Sequence, residues 1–117
     1  MRTEQLPWSK GKCFRGSAVI GNFADYGGTF SDISNGDLLL KLVVNGEIRQ
    51  QANLSLMSIS PQQQFDSLMT WAPVHAGDYL FTGTPSGVAE LFTGSHVIAT
   101  LESTTGEIIS KIDTLCH

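Results

Sequence analysis

The sequence predicts an α+β chain that is mostly β, built of antiparallel hairpins with one amphipathic helix. Three observations predict it. Asn45-Gly46 stands between two strand-like runs, Thr104-Thr105-Gly106 stands between two more, and Ser60-Pro61-Gln62-Gln63 opens a stretch with helical spacing. Asn-Gly is the sharpest of these signals, because both central residues of a two-residue hairpin turn need φ > 0 and Asn and Gly tolerate it best.

Residues 38–44 read as the outgoing strand and residues 47–57 as its return. Alternation puts Ile48, Gln50, Ala52, Leu54 and Leu56 on one face, and Glu47, Arg49, Gln51, Asn53 and Ser55 on the other. Gln50 is the misfit on the apolar face. Its amide must find partners there, or cost about 1–3 kcal/mol.

The helix is expected over residues 60–71. Ser60 is its N-cap, Pro61 takes the first helical position and Gln63 completes a capping box. Phe65, Leu68, Met69 and Ala72 follow at i, i+3, i+4 and i+7, one apolar stripe, before Pro73 and Gly77 close the element. Residues 78–82 read as a short strand running into Gly83-Thr84-Pro85-Ser86-Gly87. Residues 97–103 and 107–112 form the second hairpin. Residues 1–36, with Pro7 and six glycines and no sustained period, read as loop with room for one short strand, anchored by Trp8 and Phe14.

A chain of 117 residues suits one domain with a real core. Charged residues are only 15% of it, against a globular norm of about 25%, which points to surface that is buried or covered by a partner. The net charge of −4 without a basic cluster argues against a nucleic-acid binder. Lys41 interrupts the longest apolar run, Leu38-Leu39-Leu40, so no membrane span is expected. The N-terminus lacks an apolar leader segment, and the expected compartment is the cytoplasm. Cys13 and Cys116 are expected as free, buried thiols, with one disulfide between them as the alternative.

Two features could carry chemistry. Gly83-Thr84-Pro85-Ser86-Gly87 is a rigid turn at a strand end, where a hydroxyl and backbone N–H groups could meet a carboxylate; a plain turn is the alternative. It is not a phosphate loop, since no lysine follows the second glycine. Lys12, between Gly11 and Phe14, is either a partly buried partner for an anionic substrate or a solvated lysine. His75, His96 and His117 have no Ser, Cys or acidic partner at a telling spacing and are expected on the surface. The eleven acids contain no E-x-E or D-x-D pair, and a hard cation needs converging carboxylates, so no metal ligands are assigned.

Read in order, Leu6-Pro7-Trp8-Ser9-Lys10-Gly11-Lys12-Cys13-Phe14, Val44-Asn45-Gly46-Glu47-Ile48-Arg49-Gln50-Gln51, Met57 with its following helix, and Gly77-Asp78 running on to Thr82-Gly83-Thr84-Pro85-Ser86-Gly87-Val88 resemble the fumarylacetoacetate hydrolase family. The resemblance covers nearly the whole chain. It implies a single, N-terminally shortened C-terminal domain over residues 1–117, part of that family's mixed β-sandwich roll. It also implies a hydrolase or isomerase of 1,3-dioxo or 2-oxo acids, similar to acylpyruvate hydrolases. Lys12 matches the active-site lysine, while Gln50, Thr84 and Gly83 fall at substrate-side positions. By that match Lys12 would hold an enolate or carboxylate oxygen, Gln50 would donate from its amide, and Thr84 would anchor the carboxylate.

The same resemblance implies Mg²⁺ or Mn²⁺ in the complete enzyme, with an E-x-E pair, an aspartate and a His–Glu pair that have no counterpart here. Arg2 and Gln5 match the stretch after the ligand aspartate. Tight metal binding and catalysis by this chain alone are therefore not expected. A small oxo acid and a second copy of the chain, in a homodimer, are the expected partners. The alternative is a non-catalytic remnant or a self-associating β-rich module. Ala18-Val19-Ile20-Gly21 and the loop over 25–34 depart from the family pattern and leave the substrate open.

Overall fold

In the computed structural model, which describes residues 13, 15–23 and 36–117, β1 (Leu38–Val44) turns at Asn45-Gly46 into β2 (Glu47–Asn53). Asn45 has φ 51° and Gly46 φ 82°, the paired left-handed geometry whose twist matches that of the flanking strands. Asn45 also ties the turn sideways to β3 (His96–Ser103). Its N–H donates to the His96 carbonyl and its Oδ1 accepts from the His96 N–H, both at 2.8 Å. With β4 (Ile108–Leu115) the sheet has the order β2-β1-β3-β4, antiparallel throughout.

The two predicted hairpins are thus joined along β1 and β3, which pair from Leu38↔Ser103 to Val44↔Val97. Cross-strand partners point to the same face, so Leu38, Leu40, Leu42 and Val44 share one face with Val97, Ala99 and Leu101. This is the apolar face. Leu38 and Val44, each 3% exposed, are its best-buried members, and burying such side chains contributes about 1.5–3 kcal/mol each. Residue 21 lies against the far end of that face: a Cβ on Gly21 would stand 2.7 Å from Ile112 Cγ1. The opposite face is mixed, carrying the Lys41–Glu102 pair at 3.4 Å.

In β2 the pairing slips. Leu42 faces Gln50, but Val43 faces Ile48, so Arg49 is one residue too many and the strand bulges there. The expected alternation holds for Gln50 and Ala52, which pair with Leu42 and Leu40 on the apolar face. It fails for Ile48, which the bulge turns to the other face, where it is largely exposed. The bulge also explains how Gly87 fits. A side chain at Gly87 would run into the Arg49 carbonyl, and Gly87 itself sits at φ +106°, where side chains are disfavoured.

The return strand stops at Asn53 instead of continuing to residue 57. A 3-10 turn, Leu54–Leu56, takes over because the Asn53 Oδ1 accepts the Ser55 N–H at 2.9 Å while its Nδ2 donates to the Gly36 carbonyl at 2.6 Å. Helix α1 (Pro61–Met69) forms with the expected reciprocal box: Gln63 N–H to Ser60 Oγ at 3.2 Å, and Ser60 N–H to Gln63 Oε1 at 3.0 Å. It ends two residues before the expected 71, where the Thr70 hydroxyl donates to the Ser67 carbonyl at 2.7 Å. Phe65 and Met69 of its apolar stripe remain exposed.

Residues 78–82 make no ladder and are not a strand, which corrects that expectation. The Asp78 carboxylate instead accepts the His75 N–H at 2.8 Å, and Tyr79 stacks on Phe23 with ring centroids 5.5 Å apart. Cys13 and Cys116 are free thiols, exposed and half-buried instead of buried. Trp8 and Phe14 lie outside the described residues. Among those described, no helix is long and apolar enough to cross a membrane.

Two stability outcomes are expected from these contacts. Asn45→Ala removes the acceptor for His96 and puts a side chain that dislikes φ > 0 at the turn, so equilibrium urea unfolding should show a loss of about 1–2 kcal/mol. Gly106 has φ +95° with open space where a side chain's first carbon would stand, whereas Gly87 has strain and collision together. Gly106→Ala should therefore cost about 1–2 kcal/mol and Gly87→Ala about 3 kcal/mol or more. Equal losses would show that the Gly87 contact with the bulge is unimportant.

Candidate functional site

The bulge lets the 83–87 turn settle on β2, and Gln50 is the side chain that meets it. Gln50 Nε2 donates to Thr84 Oγ1 and to the Pro85 carbonyl, both at 2.8 Å. This resolves the misfit noted in the sequence, because the amide at the rim of the apolar face is hydrogen-bonded. A second glutamine fixes the approach to the turn. Gln64, in the first turns of α1, donates to the Ile59 carbonyl at 2.9 Å and to the Thr82 carbonyl at 3.4 Å.

Between the turn, the end of β2 and the start of α1 opens a cleft of about 590 Å³. Leu40, Ala52, Leu56 and Met57 give it an apolar wall, while Gly83, Thr84 and Ser86 give it a polar one. A mostly apolar cleft with a few convergent polar groups is the usual form of a small-molecule site. Its described lining carries no charged side chain. No side chain in that lining is anionic, and hydroxyls, backbone groups and the side-chain amides of Gln51, Asn53 and Gln64 are what it offers an anion. Arg49, next to Gln50 in sequence, is half-buried, with its Nε 3.8 Å from the exposed Glu47 carboxylate, too far for a hydrogen bond.

Of the sequence-predicted residues, Gln50 and Thr84 are brought into direct contact across 34 residues, and Gly83 lines the same cleft. Lys12 lies outside the described residues. Sequence reasoning missed the role of Gln64, although its place next to the capping-box glutamine is a usable signal. It also missed the His96–Asp113 contact of 2.5 Å. These two are diagonal neighbours of the second hairpin, since His96 pairs with Leu115 and Asp113 with Ile98. They lie on the face opposite Gln50 and take no part in the cleft. Among the described residues no three His, Cys, Asp or Glu side chains converge to hold a metal. The described residues therefore offer no ligand set for the divalent ion that the resemblance implies.

Comparison with known proteins agrees with this geometry. The family profile described as fumarylacetoacetate (FAA) hydrolase C-terminal matches residues 1–114. A maleylpyruvate hydrolase of Aquipseudomonas alcaligenes is 35% identical over 69 residues, 59% of this chain and 24% of the relative. The oxaloacetate tautomerase YcgM of Escherichia coli K12 is 31% identical over 102 residues, 87% of this chain and 46% of the relative. A crystal structure of a fumarylacetoacetate hydrolase family protein from Yersinia pestis CO92 superposes with a TM-score of 0.82 at 29% identity, covering 99% of this chain and 49% of that one. The chain spans half or less of the length of these relatives. With the profile matching residues 1–114 and the fold shared with a solved member, the chain belongs to the fumarylacetoacetate hydrolase family, as a C-terminal domain of that group of hydrolases and isomerases.

Proposed function

We propose that this chain is the oxo-acid-gripping part of an enzyme that acts on 1,3-dioxo or 2-oxo acids, such as an acylpyruvate cleaved at a C–C bond. The carrying observation is the turn at Thr84, held by Gln50 at the edge of a neutral cleft of about 590 Å³. The names of the relatives, a maleylpyruvate hydrolase and an oxaloacetate tautomerase, both denote oxo-acid chemistry and support the same class. In this reading the Thr84 hydroxyl donates to a substrate carboxylate oxygen, and the apolar wall at Leu56 and Met57 takes the carbon chain. Lys12, placed by the motif alone, would hold the enolate or carboxylate oxygen. A preorganised donor aimed at a developing negative charge is the general means by which such an enolate is stabilised.

Affinity from a hydroxyl without a neighbouring cation is modest, because a single hydrogen bond to a charged group contributes about 1.5–3 kcal/mol. Titration of the chain with pyruvate, the smallest 2-oxo acid, should shift amide NMR signals of residues 82–87, and Thr84→Val should weaken binding about 3- to 10-fold. Shifts confined to other residues would reject this site.

We also propose that Mg²⁺ and Mn²⁺ are not held tightly by this chain alone. Calorimetric titration should show no saturable micromolar site and no turnover of acetylpyruvate. Micromolar affinity with metal-dependent cleavage would overturn the proposal.

The alternative of a self-associating module draws support from one observation. Trp71 and Leu56 are 76% and 74% exposed, and Phe81, Val88 and Phe92 are exposed as well. So much apolar surface favours a homodimer. Sedimentation at increasing concentration should show a monomer–dimer equilibrium, and a monomer at every concentration would reject it.

A further inference from the structure

The contact between Gln50 and the turn has a direction, and the direction matters. A carbonyl oxygen can only accept, so the Pro85 carbonyl at 2.8 Å requires the nitrogen, not the oxygen, of the Gln50 amide to face the turn. The same nitrogen then donates its second hydrogen to Thr84 Oγ1, also at 2.8 Å. Both amide hydrogens are thereby spent inside the chain. Thr84 is made an acceptor towards Gln50, and its own hydroxyl hydrogen is left to point elsewhere. Thr84 lines the cleft and Gln50 does not.

We infer that Gln50 is a positioning residue: it acts through Thr84, setting the polarity of that hydroxyl so that it donates into the cleft, and does not itself hold the substrate. The inference rests on the oxo-acid reading for the ligand, and on the hydrogen-bond geometry alone for the clamp. It replaces the direct donation expected from the resemblance with an indirect one. Were the amide reversed, its oxygen would draw the Thr84 hydrogen away from the cleft, and the hydroxyl would turn a lone pair towards an incoming carboxylate. The backbone supports the chosen direction, because Gly87 seats the turn on the Arg49 carbonyl and holds the Pro85 carbonyl in reach of Gln50.

Two readouts on the intact chain test this. The first needs no ligand. In NMR spectra both side-chain amide hydrogens of Gln50 should be shifted from free-glutamine positions and protected from exchange. In Thr84→Val one of them should return towards the free position while the other, on Pro85, stays. If either hydrogen in the wild-type chain resonates and exchanges like a solvated amide, the clamp is refuted. The second is a double-mutant cycle on pyruvate binding, using Gln50→Met, a neutral side chain of similar length without donors. Gln50→Met and Thr84→Val should each weaken binding about 3- to 10-fold. The double variant should be no weaker than Thr84→Val alone, because Gln50 acts only through that hydroxyl. Losses that multiply would show that Gln50 meets the ligand directly and would overturn the inference. If the wild-type chain binds no pyruvate, the oxo-acid reading fails. The amide signals then decide the clamp by themselves: two protected hydrogens uphold it, and one or none refutes it. Backbone amide spectra of Gln50→Met should match the wild type outside residues 48–51 and 82–88, and a collapsed spectrum moves the decision to the ligand-free arm.

Discussion

One extra residue in β2 shapes everything around the cleft. Without the bulge at Arg49 the neighbours of Ile48 and Gln50 would alternate regularly along β1. At the bulge the Arg49 carbonyl stands where a side chain on residue 87 would collide, and only glycine leaves room there. Once Gly87 is seated, the Pro85 carbonyl and the Thr84 hydroxyl come within reach of the same amide nitrogen. Bulges re-aim side chains next to functional sites; here Ile48 is turned to the other face while Gln50 keeps its place on the apolar one. Two separate sequence features, a polar residue on an apolar face and a Gly-x-Pro-x-Gly turn, meet in this one fit.

Features that depend on a few adjacent residues were legible in the sequence. Asn45-Gly46 specifies its turn because both left-handed conformations are encoded at the residues that adopt them. Ser60 and Gln63 specify a helix start by the same local logic. The bulge was not legible, since the apolar alternation runs on through Arg49 unbroken and only the partner strand reveals the slip. Residues 78–82 misled for a related reason. Tyr79, Leu80 and Phe81 have the composition of a strand, but the segment joins no ladder and is engaged by a ring stack and a side-chain bond at Asp78. Joining of the two hairpins through β1 and β3 is a long-range pairing, which local pattern does not encode.

At the site, Gln50 was legible as an anomaly before it was legible as a function. A glutamine on the apolar side of a strand announces a hydrogen-bonded partner without naming it. The partner, 34 residues away, needed the fold, as did the direction of the bond. Nothing comparable marked His96 and Asp113, whose contact depends on diagonal geometry across the second hairpin.

The strength of the Gln50 contact is not what makes it consequential. Each of its two hydrogen bonds contributes only about 0.5–1.5 kcal/mol in a partly exposed setting. The consequence lies in removing choices. A free threonine hydroxyl can donate or accept and can rotate among staggered positions, so an anion that needs its hydrogen must first select one state. Accepting from Gln50 takes away one of those states before any ligand arrives and keeps the hydrogen available, which is preorganisation in its simplest form. A neutral cleft depends on this more than a charged one would. A cation attracts a carboxylate from any approach, whereas a hydroxyl attracts it only when the hydrogen already points the right way. With no charged side chain in the described lining, the direction of the Thr84 O–H bond bears on how this rim of the cleft meets a carboxylate.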